Sequence, residues 1–252
     1  MPTVAELSAP YGNFMLRPRR GPDVCSACFN LTDGYGRCYA CVHGGRHLDA
    51  MAPISYSVAG EQLHHALASY KRLSGAGARH FALPLAAVLW RHLAGHERCL
   101  ARAAGTAAFT LVTTVPSSQR DRADTHPLHL LVAELVRPAR ERYARVLERS
   151  DVLVDPHRFS DEKYTCRRDL AGHSVLLVDD TWTTGANAQG AAAALKAAGA
   201  GPVGALVIGR FVNRGWHHND RRLRNLAQPF DWNCCALCGE EQVTIRSCGA
   251  RV

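Results

Sequence analysis

The chain has 252 residues, 47% of them apolar or aromatic, with 30 basic residues against 22 acidic ones and a formal net charge of +8. That length can bury a sizeable core, and no apolar run approaches the ~20 residues that cross a bilayer, so a disordered polyelectrolyte and an integral membrane protein are both excluded as expectations. The positive balance attracts polyanions or a substrate bearing several phosphates, and does not separate the two.

Residues 1–20 contain Pro2, Pro10 and Pro18 with no apolar period, and are expected to form a poorly ordered arm without a signal-peptide core. Residues 21–50 hold Cys25, Cys28, Cys38 and Cys41, two C-x2-C pairs around a glycine-bearing turn. Each pair offers two sulfurs from one side, which suits tetrahedral Zn²⁺ in a closed, structural site. A redox dithiol is the alternative. Paired thiols in a chain this long argue for metal in a reducing compartment, so the expected location is the cytoplasm.

Val42 to Pro53 reads as a short tether. From Glu61 the apolar positions Leu63, Leu67 and Tyr70 predict a helix ending near Lys71 and Arg72, broken by Gly75 and Gly77. Phe81, Leu85, Val88, Leu89 and Leu93 predict a longer helix, with His92 and His96 near its end read as surface residues. Phe109 to Val115 is β-rich and is expected to be a strand, stopped by the polar loop Pro116 to Arg122. A helix opens at His126-Pro127. Ser150 to Asp155 is expected to be a short strand, and Pro156 to Gly172 a long polar loop of the kind that closes over substrates, with Arg158, Lys163, Arg167 and Arg168 as phosphate clamps.

Val175-Leu-Leu-Val178 has the aliphatic character of a strand buried on both faces, and Asp179 and Asp180 stand at its carboxyl end. The following Thr181-Trp182-Thr183-Thr184-Gly185-Ala186-Asn187 leads into an alanine-rich helix whose first amides lack partners, an arrangement suited to a phosphate. Gly185 lets backbone approach an anion, and Thr183, Thr184 and Asn187 add donors. The two acids would repel that anion unless they hold ribose hydroxyls or a Mg²⁺ that screens them. A sugar phosphate satisfies both halves of the loop.

Val203 to Ile208 predicts a further strand, completing a parallel βαβ unit. The tail, residues 211–252, is basic and contains a helix expected from Asp220 to Ala227. It also carries Cys235, Cys238 and Cys248, the makings of a second, weaker zinc site whose fourth ligand is open: Cys234, His217, His218 or another region.

The stretch Val175 to Asn187 resembles the phosphoribosyl-pyrophosphate (PRPP) motif of type I phosphoribosyltransferases, departing from it at Thr181, Trp182 and Asn187. With the four-Cys module in front, the chain from Cys25 to Arg210 resembles the ComF family of competence-associated proteins. The helix bearing Tyr70-Lys71 is a weaker echo. The resemblance implies an α/β fold of the type I phosphoribosyltransferase kind, a mainly parallel sheet flanked by helices over residues 51–210, behind a small zinc-binding module. It implies that Asp179 and Asp180 hold ribose hydroxyls as the catalytic acids. Thr181, Thr183, Thr184, Gly185, Ala186 and Asn187 would hold the 5′-phosphate, and Ser117, Ser118, Arg120 and Arg122 the pyrophosphate with Mg²⁺. A phosphoribosyl group would pass to an unidentified acceptor. The alternative is an accessory role in DNA uptake or processing, with single-stranded DNA or a helicase as partner and PRPP sensed or unused. A homodimer and a monomer are both open.

Overall fold

The structure, a computed structural model, describes residues 2–72, 75–117, 127–155, 158–226 and 229–238. In chain order its strands are β1 (Ala50–Val58), β2 (Leu111–Thr114), β3 (Leu147–Arg149), β4 (Tyr164–Cys166), β5 (Val175–Trp182) and β6 (Val203–Val212). The helices are α1 (Val4–Ser8), α2 (Tyr39–His43), α3 (Gln62–Arg72), α4 (Gly75–Ala103), α5 (Pro127–Leu130), α6 (Arg137–Arg140), α7 (Ala186–Ala197) and α8 (Asn219–Leu226). Strands β1, β6, β5 and β2 lie in that order in one sheet, every pairing parallel, while β3 and β4 form a separate antiparallel pair.

The sheet is covered on both faces, which is why its strands read as continuous apolar runs. Val175, Leu177, Val203, Ala205 and Val207 pack with α7 and with Val24, Cys25, Cys28 and Phe29 of the cysteine module. Leu176, Val178, Leu206 and Ile208 face the opposite way, among residues of α3 and α4. Alternation along each strand thus divides the apolar side chains between two layers. The cysteine module belongs to one of those layers. Among the described residues no helix is long and apolar enough to cross a membrane.

Four expectations from the sequence change. The N-terminal arm is ordered: Thr3 and Glu6 form a reciprocal capping box on α1, Tyr11 and Met15 are buried, and the backbone N–H of Tyr56 donates to the Leu16 carbonyl at 2.8 Å. The box was legible as T-x-x-E, a helix start outweighed by the prolines. The tether ends in β1, with Pro53 inside it. A proline cannot donate to a ladder, and the strand forms through the pairing of its other residues with β6.

The third strand lies at Leu147–Arg149 rather than Ser150 to Asp155. Leu147 is buried, whereas Leu153 is 92% exposed, so the apolar run at 152–154 was a misleading signal. The described part of the expected long loop, 158–172, is not structureless either. It contains a 3-10 turn (Asp161–Lys163), β4, a buried Leu170 and a bridge between Ala171 and Ala200.

Candidate functional site

A cleft of about 450 Å³ opens at the carboxyl ends of β2 and β5, where open α/β sheets bind ligands. Its walls are Val115, Pro116 and Ser117 beyond β2, and Asp179, Asp180, Thr181 and Thr183 from β5 and its loop. Asn187 of α7, His64, Leu67, Ala68, Lys71 and Arg72 of α3, and Phe211 of β6 complete them. Six of the residues singled out from the sequence therefore meet in one place: Ser117, Asp179, Asp180, Thr181, Thr183 and Asn187. The other three of the loop, Thr184, Gly185 and Ala186, line a second cavity of about 280 Å³ with Trp182, Arg158, Phe159 and α2 of the cysteine module. Ser118, Arg120 and Arg122 lie outside the described residues.

The two acids have unlike surroundings. Asp180 is buried, and both of its oxygens are engaged from α3: the Tyr70 hydroxyl donates to Oδ2 and the Lys71 ammonium donates to Oδ1 at 2.5 Å. Burial first, and the Asp180 charge second, hold the Tyr70 proton far above its usual range, so the phenol stays a donor. Burial works against the Lys71 ammonium, but the adjacent carboxylates outweigh it and its pKa is raised. Asp180 is thus a charge held by two internal partners, a different position from that of an acid free to grip a sugar.

Asp179 accepts the Asp180 backbone N–H at 2.8 Å, and it lines the cleft with no cation bonded to it among the described residues. Burial, followed by the neighbouring Asp180 charge, pushes its carboxyl up from the ordinary 3.8 to about 8. A half-buried acid beside a second acid, only partly offset by the Lys71 charge, is open to further hydroxyl donors.

The loop joining β5 to α7 turns at Gly185, whose φ of 86° is left-handed. A Cβ there would come within 2.2 Å of the Trp182 ring, so backbone and indole are in direct contact. Only glycine meets both requirements. The Thr184 hydroxyl accepts from the Ala186 N–H at 3.3 Å, capping the start of the helix. Asn187 Oδ1 is buried without a hydrogen-bond partner among the described residues, an acceptor that a ligand hydroxyl would satisfy.

Cys25, Cys28, Cys38 and Cys41 converge as their spacing predicts, with all four Sγ atoms within 4.8 Å of one another. Zn–S bonds of about 2.3 Å put tetrahedral sulfurs about 3.8 Å apart, and the Cys28 and Cys38 Sγ atoms are separated by 3.6 Å. The cluster is geometrically capable of holding a metal such as zinc. Arg210 of β6, buried, joins it to the sheet: its Nε donates to the Cys28 carbonyl at 2.9 Å, and its Nη1 to the carbonyls of Trp182 at 3.1 Å and Phe211 at 2.7 Å. Its Nη2 stands 3.8 Å from Cys28 Sγ. Four thiolates exceed a dication by two charges, so a buried guanidinium beside them is favourable. Sequence reasoning missed Arg210 because an arginine closing an apolar strand reads as the strand's solvated end.

A second group forms from His96, Cys99, Cys235 and Cys238, all buried, with ligand atoms within 4.8 Å of one another. His92 and His96 are therefore not surface residues; both are buried. Two of the four positions are filled from α4, by His96 and Cys99, and neither Cys234 nor His217 or His218 belongs to the group. Cys248 lies outside the described residues. The signal was present in sequence as His96-x2-Cys99, one helical turn apart.

Of the proposed clamps, Lys163 is buried and cannot reach a substrate from the surface, and Arg167 is exposed and lies 3.5 Å from Glu148. Arg158 borders the second cavity.

Fold and site define an open parallel α/β protein with a polar cleft at its strand ends and two clusters capable of holding metal. No family model matches the chain, and no curated protein matches it.

Proposed function

We propose that this chain is a phosphoribosyltransferase-like protein of the ComF kind, which binds PRPP with Mg²⁺ and transfers phosphoribosyl to an acceptor with release of pyrophosphate. The observation that carries the reading is the meeting of Asp179, Thr183, Asn187 and Ser117 at one cleft, where two adjacent parallel strands end and α7 begins. An acid in need of donors, an unmet acceptor and a helix start lie side by side, the complement of a pentose hydroxyl pair next to a phosphate.

On this reading Asp179 takes the ribose hydroxyls, and Asp180 acts behind it by fixing α3 against the loop through Tyr70 and Lys71. Thr183 and the amides at the start of α7 receive the 5′-phosphate, and Ser117, beyond the end of β2 on the cleft wall, serves the diphosphate. A nucleophile forms its bond to C1 as the C1–O bond breaks, and the electron pair leaves with pyrophosphate. When bound, Mg²⁺ supplies neutralising charge to that leaving group. The protein positions the reactants and stabilises the departing charge without a covalent intermediate. Zinc in the four-Cys cluster would be structural, since four sulfurs leave no open position.

Calorimetry with PRPP and Mg²⁺ tests the reading without knowledge of the acceptor. Saturable binding in the wild type, lost in Asp179→Asn, is expected; heat indistinguishable from dilution would refute it.

A second reading, an accessory to DNA processing, draws support from Tyr35, Tyr39 and Trp216, which are exposed on a chain of net charge +8. Aromatic side chains on a basic surface suit stacking of single-stranded bases. Titration with single-stranded DNA at several salt concentrations separates the two readings: a steep salt slope without PRPP binding favours this one.

A further inference from the structure

We propose that His96, Cys99, Cys235 and Cys238 bind a second zinc ion, which closes the C-terminal segment onto α4. Three independent features argue for it beyond proximity. The first is the histidine tautomer. His96 Nε2 lies 2.8 Å from the Trp232 carbonyl oxygen, which can only accept, so the ring proton sits on Nε2. The lone pair of Nδ1 is then directed to the thiols, with Cys238 Sγ at 3.8 Å. A ligating imidazole anchored to a carbonyl through its other nitrogen is the usual outer arrangement of zinc sites.

The second feature is amide donation to sulfur. The backbone N–H of Cys235 donates to Cys238 Sγ at 3.1 Å, and that of Leu237 to Cys235 Sγ at 3.3 Å. Hydrogen bonds of this kind favour thiolates, the form in which cysteine ligates metal. The third is composition. The cluster is buried with Leu237 as its apolar neighbour, and three thiols with an imidazole make a poor hydrophobic core. An odd number of thiols also leaves one over from any disulfide.

The stereochemistry fits one ion. His96 and Cys99 are a turn apart on one face of α4, and Cys235-x2-Cys238 supplies a tight chelating turn opposite them. Four protein ligands make the site structural. Its effect is to gather three parts of the chain. Trp232, held by His96, packs under the Arg91 guanidinium at 4.3 Å, and its Nε1 lies 3.3 Å from where a Cβ on Gly12 would be. The N-terminal segment, α4 and the tail therefore meet at this point.

Zinc content of the purified full chain is the primary test. The wild type is expected to hold two ions per chain, with one lost in Cys99→Ser and one lost in Cys25→Ser, whereas Cys234→Ser and Cys248→Ser keep both. X-ray absorption should show a nitrogen contribution that disappears in His96→Cys while both ions remain, a variant that keeps a complete ligand set if Cys99→Ser folds poorly. One ion per chain in the wild type, loss of an ion in Cys248→Ser, or a nitrogen contribution that survives in His96→Cys would each overturn the assignment.

Discussion

Adjacent in sequence, Asp179 and Asp180 differ in what they can do, and the difference is testable one residue at a time. Asp180→Asn removes the acceptor for Lys71 and weakens that for Tyr70, so stability is expected to fall by about 1–3 kcal/mol, read as a lower denaturation midpoint. Asp179→Asn replaces a half-buried carboxyl whose ionised form is disfavoured; the midpoint should hold near neutral pH and exceed that of wild type above about pH 8, while PRPP binding is lost. The sign of the pH dependence follows from the raised pKa. Between the ordinary value of 3.8 and about 8, the folded chain keeps a proton that the unfolded chain has released. Stability from this group therefore falls as pH rises through that window, and urea midpoints at pH 5 and pH 8 should converge in Asp179→Asn relative to wild type. Gly185→Ala meets a left-handed φ and the Trp182 ring together, which costs at least about 1–3 kcal/mol or displaces the loop. Its PRPP affinity should drop even where the fold survives.

At the scale of elements, Arg210 decides how the cysteine module is attached. Its guanidinium serves three carbonyls lying in different directions, a task for a planar fork that an ammonium cannot reproduce. Arg210→Lys is accordingly expected to behave much like Arg210→Met, with faster zinc release to a chelator and a loss of about 1–3 kcal/mol for each carbonyl left without a donor. Equal zinc release from wild type and both variants would show that the tie is dispensable. The elements also mark where local pattern was sufficient. Strand β5, its loop and α7 are contiguous, and their residue types announced both the turn and the cleft. Strand β1 was hidden by Pro53, because pairing with β6 is a relation between strands, not a property of a nine-residue segment.

For the molecule as a whole, the cysteine module shares a core layer with β5 and β6, so metal there and order at the cleft should be coupled. Stripping zinc with a strong chelator is expected to abolish PRPP binding and the near-ultraviolet circular dichroism of buried Trp182 together. PRPP binding that persists in metal-free protein would disconnect the two. The four-Cys cluster and the acid loop could be read directly because their chemistry is written within short spans, where spacing constrains geometry. Other features were illegible for a common reason. Asp180 meets Tyr70 across 110 residues, and Cys238 meets His96 across 142. No local periodicity encodes such meetings; they arise when the sheet forms and α3 and α4 pack on it. Residue order thus specified which groups bear chemistry, and packing specified which of them are already spent on one another and which still face the cleft.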